Sequence, residues 1–151
     1  MSQRHRIQNN RMMFVTIATL NREPFFEHAP IAREAVETLY RVKALHPFLL
    51  HGFVVMPDHC HFLMTILPPE KISTIIGTFK SGLTFNTGIP QIWQPRSYIR
   101  IVRTTPENVL RYIHMNPVEA SMVERSNAYP WSSASGKWDV DQITPRPRMY
   151  S

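Results

Sequence analysis

Apolar and polar positions change period several times along the chain, and each change marks an element. Residues 12 to 20, MMFVTIATL, are apolar and β-branched and predict a strand that breaks at Asn21 to Pro24. Residues 30 to 45 carry Ile31, Ala35, Leu39 and Val42 on one face, with Pro30 in the first turn and Pro47 as a stop, which predicts a helix. FLLHGFVVM at 48 to 56 and the run from His59 to Leu67 predict two strands joined by the short turn Pro57-Asp58, with Pro68-Pro69 ending the hairpin. Residues 70 to 86 set Ile72, Ile75, Ile76, Phe79 and Leu83 at helical spacing, and a loop follows to Pro90. SYIRIVR at 97 to 103 alternates as a half-exposed strand does. Thr105 and Pro106 read as the N-cap and first residue of a third helix over 106 to 116, closed by Pro117. The last thirty residues, rich in Ser, Pro and aromatics, predict an irregular wrap and a loose tail.

The order β-α-β-β-α-β-α is a split βαβ pattern with an appended helix. It predicts an α+β fold, an antiparallel sheet with two helices packed on one face. At 151 residues the chain is expected to form a single domain, 1–151, with 1–10 and 140–151 as basic, flexible ends. A hydrophobic content of 43% supports a core and excludes a disordered chain. No apolar run reaches the roughly 18 residues that span a bilayer, and the opening MSQRHRIQNN does not resemble a secretory signal. The expectation is a cytoplasmic protein with no membrane partner. The single cysteine, Cys60, excludes an intramolecular disulfide and a multi-thiolate zinc site.

Charge is segregated. The net charge is +6, and Arg4, Arg6 and Arg11 open the chain without an acid among them. From Lys71 to Arg103 the chain carries Lys71, Lys80, Arg96, Arg100 and Arg103, again without Asp or Glu. Such runs suit a polyanion, nucleic acid above all. They are equally common as solvated surface, so charge by itself divides evenly between the two.

Two motifs carry chemistry. His59 and His61 share one strand face about 7 Å apart, so their imidazoles can converge on one ion, while Cys60 points to the other face as a small core residue. A bare His-x-His is more often structural. His5, His28, His46, His51 and His114 show no comparable pairing and read as surface or structural residues. Tyr112 and Asn116 lie four apart on one helical face, opposite Val109, Leu110 and Ile113. The bland reading is a packing tyrosine and a C-terminal cap. The sharper one makes the Asn116 amide oxygen a third metal ligand, with the Tyr112 hydroxyl in reach of a metal-bound phosphate. A phenol with pKa about 10 is phenolate roughly one time in a thousand at neutral pH. A cation that polarises the phosphoryl group supplies the missing activation. A tyrosine nucleophile keeps the phosphodiester energy in a covalent intermediate, which suits strand transfer.

Val54-Val55-Met56-Pro57-Asp58-His59-Cys60-His61-Phe62-Leu63 resembles the His-hydrophobe-His (HUH) motif of single-tyrosine transposases of insertion sequences. Ile92-Trp93-Gln94-Pro95-Arg96, Tyr112-Ile113-His114-Met115-Asn116-Pro117-Val118 and Trp131-Ser132-Ser133 resemble the REP-associated tyrosine transposase branch. The resemblance runs over about residues 10 to 135 and rests on the whole ordered set rather than on any single motif. It implies a ferredoxin-like HUH endonuclease core that nicks and joins single-stranded DNA beside hairpins of palindromic repeats. It implies Tyr112 as nucleophile forming a 5′-phosphotyrosine, and His59, His61 and Asn116 as ligands to Mg²⁺ or Mn²⁺. The residue types themselves leave the metal open, since imidazoles also suit zinc and other transition metals. Asp58 stands where relatives often carry Asn or Glu, which leaves its role open.

Arg4, Arg6, Arg11, Lys80, Arg96 and Arg100 are the expected DNA contacts, to single-stranded or hairpin DNA, by a monomer or homodimer. Tyr98 is the rival nucleophile, ranked lower because it lies on a strand with no amide four residues on. Tyr40, Tyr129 and Tyr150 lack any such context. Two other functions fit parts of the pattern: a catalytically silent hairpin-DNA binder of the same fold, and a metal-dependent hydrolase of small nucleotides. The latter is weakened by the lack of a glycine-rich phosphate loop and of a third nearby histidine.

Overall fold

The computed structural model describes residues 12–143, so Arg4, Arg6 and Arg11 and the chain beyond 143 lie outside the described residues. Strands β1 (Met12–Thr19), β2 (Phe48–Met56), β3 (His59–Ile66) and β4 (Trp93–Ile101) form one antiparallel sheet in the order β2-β3-β1-β4. Helices α1 (Ala29–Leu45) and α2 (Ile72–Thr87) cover one face, and α3 (Pro106–Glu119) lies on the other. This is the expected α+β arrangement of a ferredoxin-like core with an added helix.

The hydrophobic period sets the layers. In β1, Met13, Val15, Ile17 and Thr19 are buried and their neighbours half-buried, as alternation requires. The odd positions join Ala35, Leu39, Phe62, Phe79 and Leu83 in the main core between sheet and helices. β2 and β3 are buried along nearly their whole length because both their faces are covered. On the far side, Val54, Met56 and Leu63 meet Val109 and Ile113 of α3, with Tyr129 closing this second core. α3 contacts β2 far more than β3, so the β1–β4 half of that face stays open. Accordingly β4 has no fully buried residue.

Several boundaries differ from those the sequence predicts. β4 runs from Trp93 to Ile101 rather than from 97 to 103. It holds Pro95, which an edge strand tolerates where the register shifts between Ile17 and Thr19. α3 does not stop at Pro117. The ring costs a backbone donor but is itself buried in the apolar seam, and the Ala120 N–H to Asn116 carbonyl bond (3.0 Å) carries the helix to Glu119. Asn116 is therefore an internal helical residue and not the end of the helix. Thr105 is an N-cap by backbone only: the Asn108 N–H bonds its carbonyl (3.1 Å), and its side chain does not cap.

The C-terminal wrap is irregular as expected but firmly tied to the outer edge of β2. Val55 N–H donates to the Trp131 carbonyl (2.8 Å), Phe53 N–H to Ser133 Oγ (3.0 Å), and the Tyr129 hydroxyl to the Val55 carbonyl (2.7 Å). Asp141 accepts from Leu50 N–H (2.8 Å) and pairs with Lys43 (3.3 Å), which ties the wrap to the sheet as far as this residue.

Gly52 is where α3 comes closest to the sheet. It follows a register shift in β2, and a Cβ there would stand 2.2 Å from Leu110 Cδ1 and 3.3 Å from Ser133 Oγ. Gly52→Ala is expected to destabilise the fold by about 1–3 kcal/mol through overpacking. The cost should fall when Leu110→Ala is present as well, read as a coupling energy in a denaturant double-mutant cycle.

Candidate active site

The register of the sheet aims both histidines. His61 pairs with Thr16 on β1 and Val54 on β2, and His59 with Ala18 and Met56. Both imidazoles therefore project from the face that carries α3. Cys60 projects into the main core, where burial pushes its thiol pKa far up. The imidazoles meet edge-on, with ring centroids 4.8 Å apart.

Each imidazole is held by its Nδ1. His59 Nδ1 lies 2.8 Å from Asp58 Oδ1, and His61 Nδ1 lies 2.9 Å from Thr16 Oγ1. A neutral imidazole whose Nδ1 donates keeps its lone pair on Nε2, the form that metal ligation needs, and at His61 burial favours the neutral ring. Asp58 is held in turn by Arg22, whose Nε lies 3.2 Å from Oδ2. Arg22 arrives there through a turn in which Asn21 and Arg22 both adopt left-handed backbone, φ 55° and 56°. Hydrogen bonds from Thr19 N–H to the Asp58 carbonyl (2.9 Å) and from Phe26 N–H to the Pro57 carbonyl (3.0 Å) fasten that segment to the β2–β3 turn. Burial first, and then electrostatic repulsion from the neighbouring His59 and Arg22, pushes the His61 pKa down to about 3.

Tyr112 stands across from His61. Their ring centroids are 5.6 Å apart, and the phenol also meets Phe14 edge-on at 6.0 Å. Phe14 stacks on His61 at 5.1 Å, 24° from parallel, so the His61 ring is fixed by a hydrogen bond on its edge and a ring on its face. Tyr112 is 56% exposed, which leaves its hydroxyl accessible beside the imidazoles. α3 is held in place by the apolar seam and by His114, whose Nε2 lies 2.7 Å from Ser133 Oγ. His51 bonds Thr65 and the Asp141 carbonyl, so both of these histidines are structural as expected.

Asn116 is half-buried one turn beyond Tyr112. Among the described residues no group of three His, Cys, Asp or Glu is suited to an ion. A third protein donor beside the two histidines would have to be of another kind.

The expected DNA contacts separate. Arg100 lies over the Phe14 ring at 5.2 Å, on the site face, and Arg96 is exposed near the start of β4. Lys80 belongs to the helical layer, where its ammonium donates to the Gln94 carbonyl (3.2 Å) and partial burial lowers its pKa. Tyr98 is 74% exposed and pairs with Thr16 on β1. The Tyr129 and Tyr40 hydroxyls bond backbone carbonyls, and Tyr150 lies outside the described residues. The periodicity missed Arg22, Thr16 and Phe14. Alternation put Phe14 and Thr16 on the face away from the main core, but only the pairing of β1 with β3 set them beside His61.

Comparison with known proteins gives one direction. Residues 8–116 match the family model "Transposase IS200 like". Over 113 residues the chain is 30% identical to the REP-associated tyrosine transposase of Escherichia coli K12, covering 68% of this chain and 67% of that one. A structure of a REP-associated tyrosine transposase bound to a REP hairpin superimposes with TM-score 0.74 at 25% identity, covering 95% of this chain and 94% of that one. A protein of Deinococcus radiodurans R1 superimposes with TM-score 0.54 at 18% identity, covering 68% and 87%, and shares the fold.

The depressed His61 pKa sets a sign for acid stability. Unfolded, this imidazole takes a proton below about pH 6.5, and folded it does not until about pH 3. The unfolded state therefore binds more protons across that window, and stability is lost as pH falls through it. Over that range the Tm of the wild type is expected to drop faster than that of His61→Gln, and equal declines would contradict the assignment.

Proposed function

The chain belongs to the IS200-like family of DNA transposases, and from that premise we propose that it cuts and rejoins single-stranded DNA beside hairpin or palindromic repeats through a covalent tyrosine intermediate. The observation that carries this reading is the meeting of Tyr112 with His61, 5.6 Å between ring centroids, on the open side of the sheet. Tyr112 Oη attacks the scissile phosphorus, the P–O3′ bond breaks, and the leaving 3′-oxygen gains a proton while the phenol loses its own. The 5′-phosphate stays on Tyr112 until a 3′-hydroxyl attacks it and restores a phosphodiester.

His59, His61 and Asn116 would hold Mg²⁺ or Mn²⁺, which when bound neutralises charge on the phosphoryl oxygens. Asp58 and Arg22 orient His59, and Thr16 and Phe14 orient His61, so both imidazoles are set before substrate arrives. Arg96 and Arg100 contact phosphates of the DNA strand, joined by Arg4, Arg6 and Arg11, whereas Lys80, expected among these contacts, lies in the helical layer on the other face of the sheet and is engaged by the Gln94 carbonyl. A strand suits the site better than a small nucleotide does. Tyr112 and His61 meet on the half of the sheet face that α3 leaves open, where an extended strand can lie.

Incubation with a single-stranded DNA hairpin and Mg²⁺ or Mn²⁺ is expected to give a protein–DNA adduct that survives denaturation. Tyr112→Phe should abolish the adduct. An adduct that persists in this variant would remove Tyr112 from the chemistry, and no adduct from the wild type would favour a silent hairpin binder. His59→Ala combined with His61→Ala should lose cleavage and keep most of the DNA affinity. Asp58→Asn is expected to lower cleavage about tenfold to hundredfold by loosening His59.

A further inference from the structure

The open half of the site face carries an aromatic ring that neither the fold nor the proposed chemistry uses. Direct antiparallel partners share a face, so the pairs Val54–His61, His61–Thr16 and Thr16–Tyr98 form one row across all four strands. The row begins under α3, passes through the buried imidazole and ends on Tyr98. Two strand spacings, about 10 Å, separate Tyr98 from His61. Tyr98 is thus too remote to share a cation with the histidines, yet it stands beside the position a strand must occupy to reach Tyr112. It is 74% exposed, so folding gains little from its ring.

Its neighbours argue for an anionic occupant. The next row of the same face pairs Leu63 with Phe14 and Phe14 with Arg100, whose guanidinium lies over the Phe14 ring at 5.2 Å. Arg96 is exposed two residues before Tyr98, and no Asp or Glu occurs from Lys71 to Arg103. A flat ring between two cations on an exposed strand, next to a catalytic centre, offers what an unpaired nucleotide binds: a surface for the base and charges for the phosphates on either side.

We propose that Tyr98 is the stacking platform for an unpaired base of the DNA strand next to the scissile phosphate, with Arg96 and Arg100 holding the adjoining phosphates. The proposal rests on the reading of the site as one that cuts single strands. It gives Tyr98 a positioning role: the stacked base fixes the line along which the strand passes Tyr112.

The test is equilibrium binding by fluorescence anisotropy, in chelator, to a DNA hairpin with oligothymidine tails at both ends and to the same hairpin without tails. Tyr98→Ala should weaken binding of the tailed hairpin about tenfold to hundredfold, the usual loss for one base–aromatic stack, and leave the blunt hairpin unaffected. Tyr98→Phe, which keeps the ring, should restore the tailed affinity. Abasic tails should lower the affinity of the wild type to that of Tyr98→Ala, a readout that needs no variant to fold. Equal tailed affinities for wild type and Tyr98→Ala would overturn the proposal, as would a change confined to the oligomeric state, which would make the ring a contact between copies. Because binding is read without cleavage, failure of Tyr112 to form an adduct would leave this result standing, and the reverse also holds.

Discussion

The pairing register of β1 with β3 is the constraint on which the site depends. It places Thr16 opposite His61 and so supplies the hydroxyl that fixes the imidazole, and it places Phe14 where its ring can stack on the same group. A slip of one residue would turn Cys60 toward α3 and send both histidines into the main core. The core residues of β3 forbid that slip, because Cys60, Phe62, Met64 and Ile66 would turn out of the main core. Burial of these residues thus also orients the two imidazoles.

The two halves of the site differ in how they are held. The histidines sit on an inner strand, braced by Asp58, Arg22, Thr16 and Phe14. Tyr112 sits on a helix joined to the sheet by one apolar seam, one serine–histidine contact and a glycine that allows close approach. The proposed reaction asks for this division, since it needs precisely held imidazoles, an accessible phenol and room for a phosphodiester between them. The half-covered sheet follows from it. If α3 spread over β1 and β4 as well, the imidazoles would be sealed from any strand of DNA.

Much of this was legible in the sequence where period alone decides. β2 matches its predicted span, α1 and α2 differ from theirs by a residue or two, and Cys60 points away from the histidines as alternation requires. Proline punctuation was less dependable. Pro47 follows the end of α1, but Pro117 is absorbed within α3 because a buried ring repays part of the lost donor, and Pro95 lies inside an edge strand. The Arg22–Asp58–His59 chain was beyond reach of any local rule. It joins residues far apart in sequence through a left-handed turn at Asn21 and Arg22, and although Asn21 suits such backbone, Arg22 does not announce it.

The irregular segment from Tyr129 to Asp141 has an effect beyond anchoring. It occupies backbone donors and acceptors along the outside of β2, so one border of the sheet is closed to further strands. At the opposite border Lys80 and Pro95 blunt only the beginning of β4. A ribbon that can be lengthened from one side can close in a symmetric pair but cannot propagate, which protects a β-rich chain from filament growth.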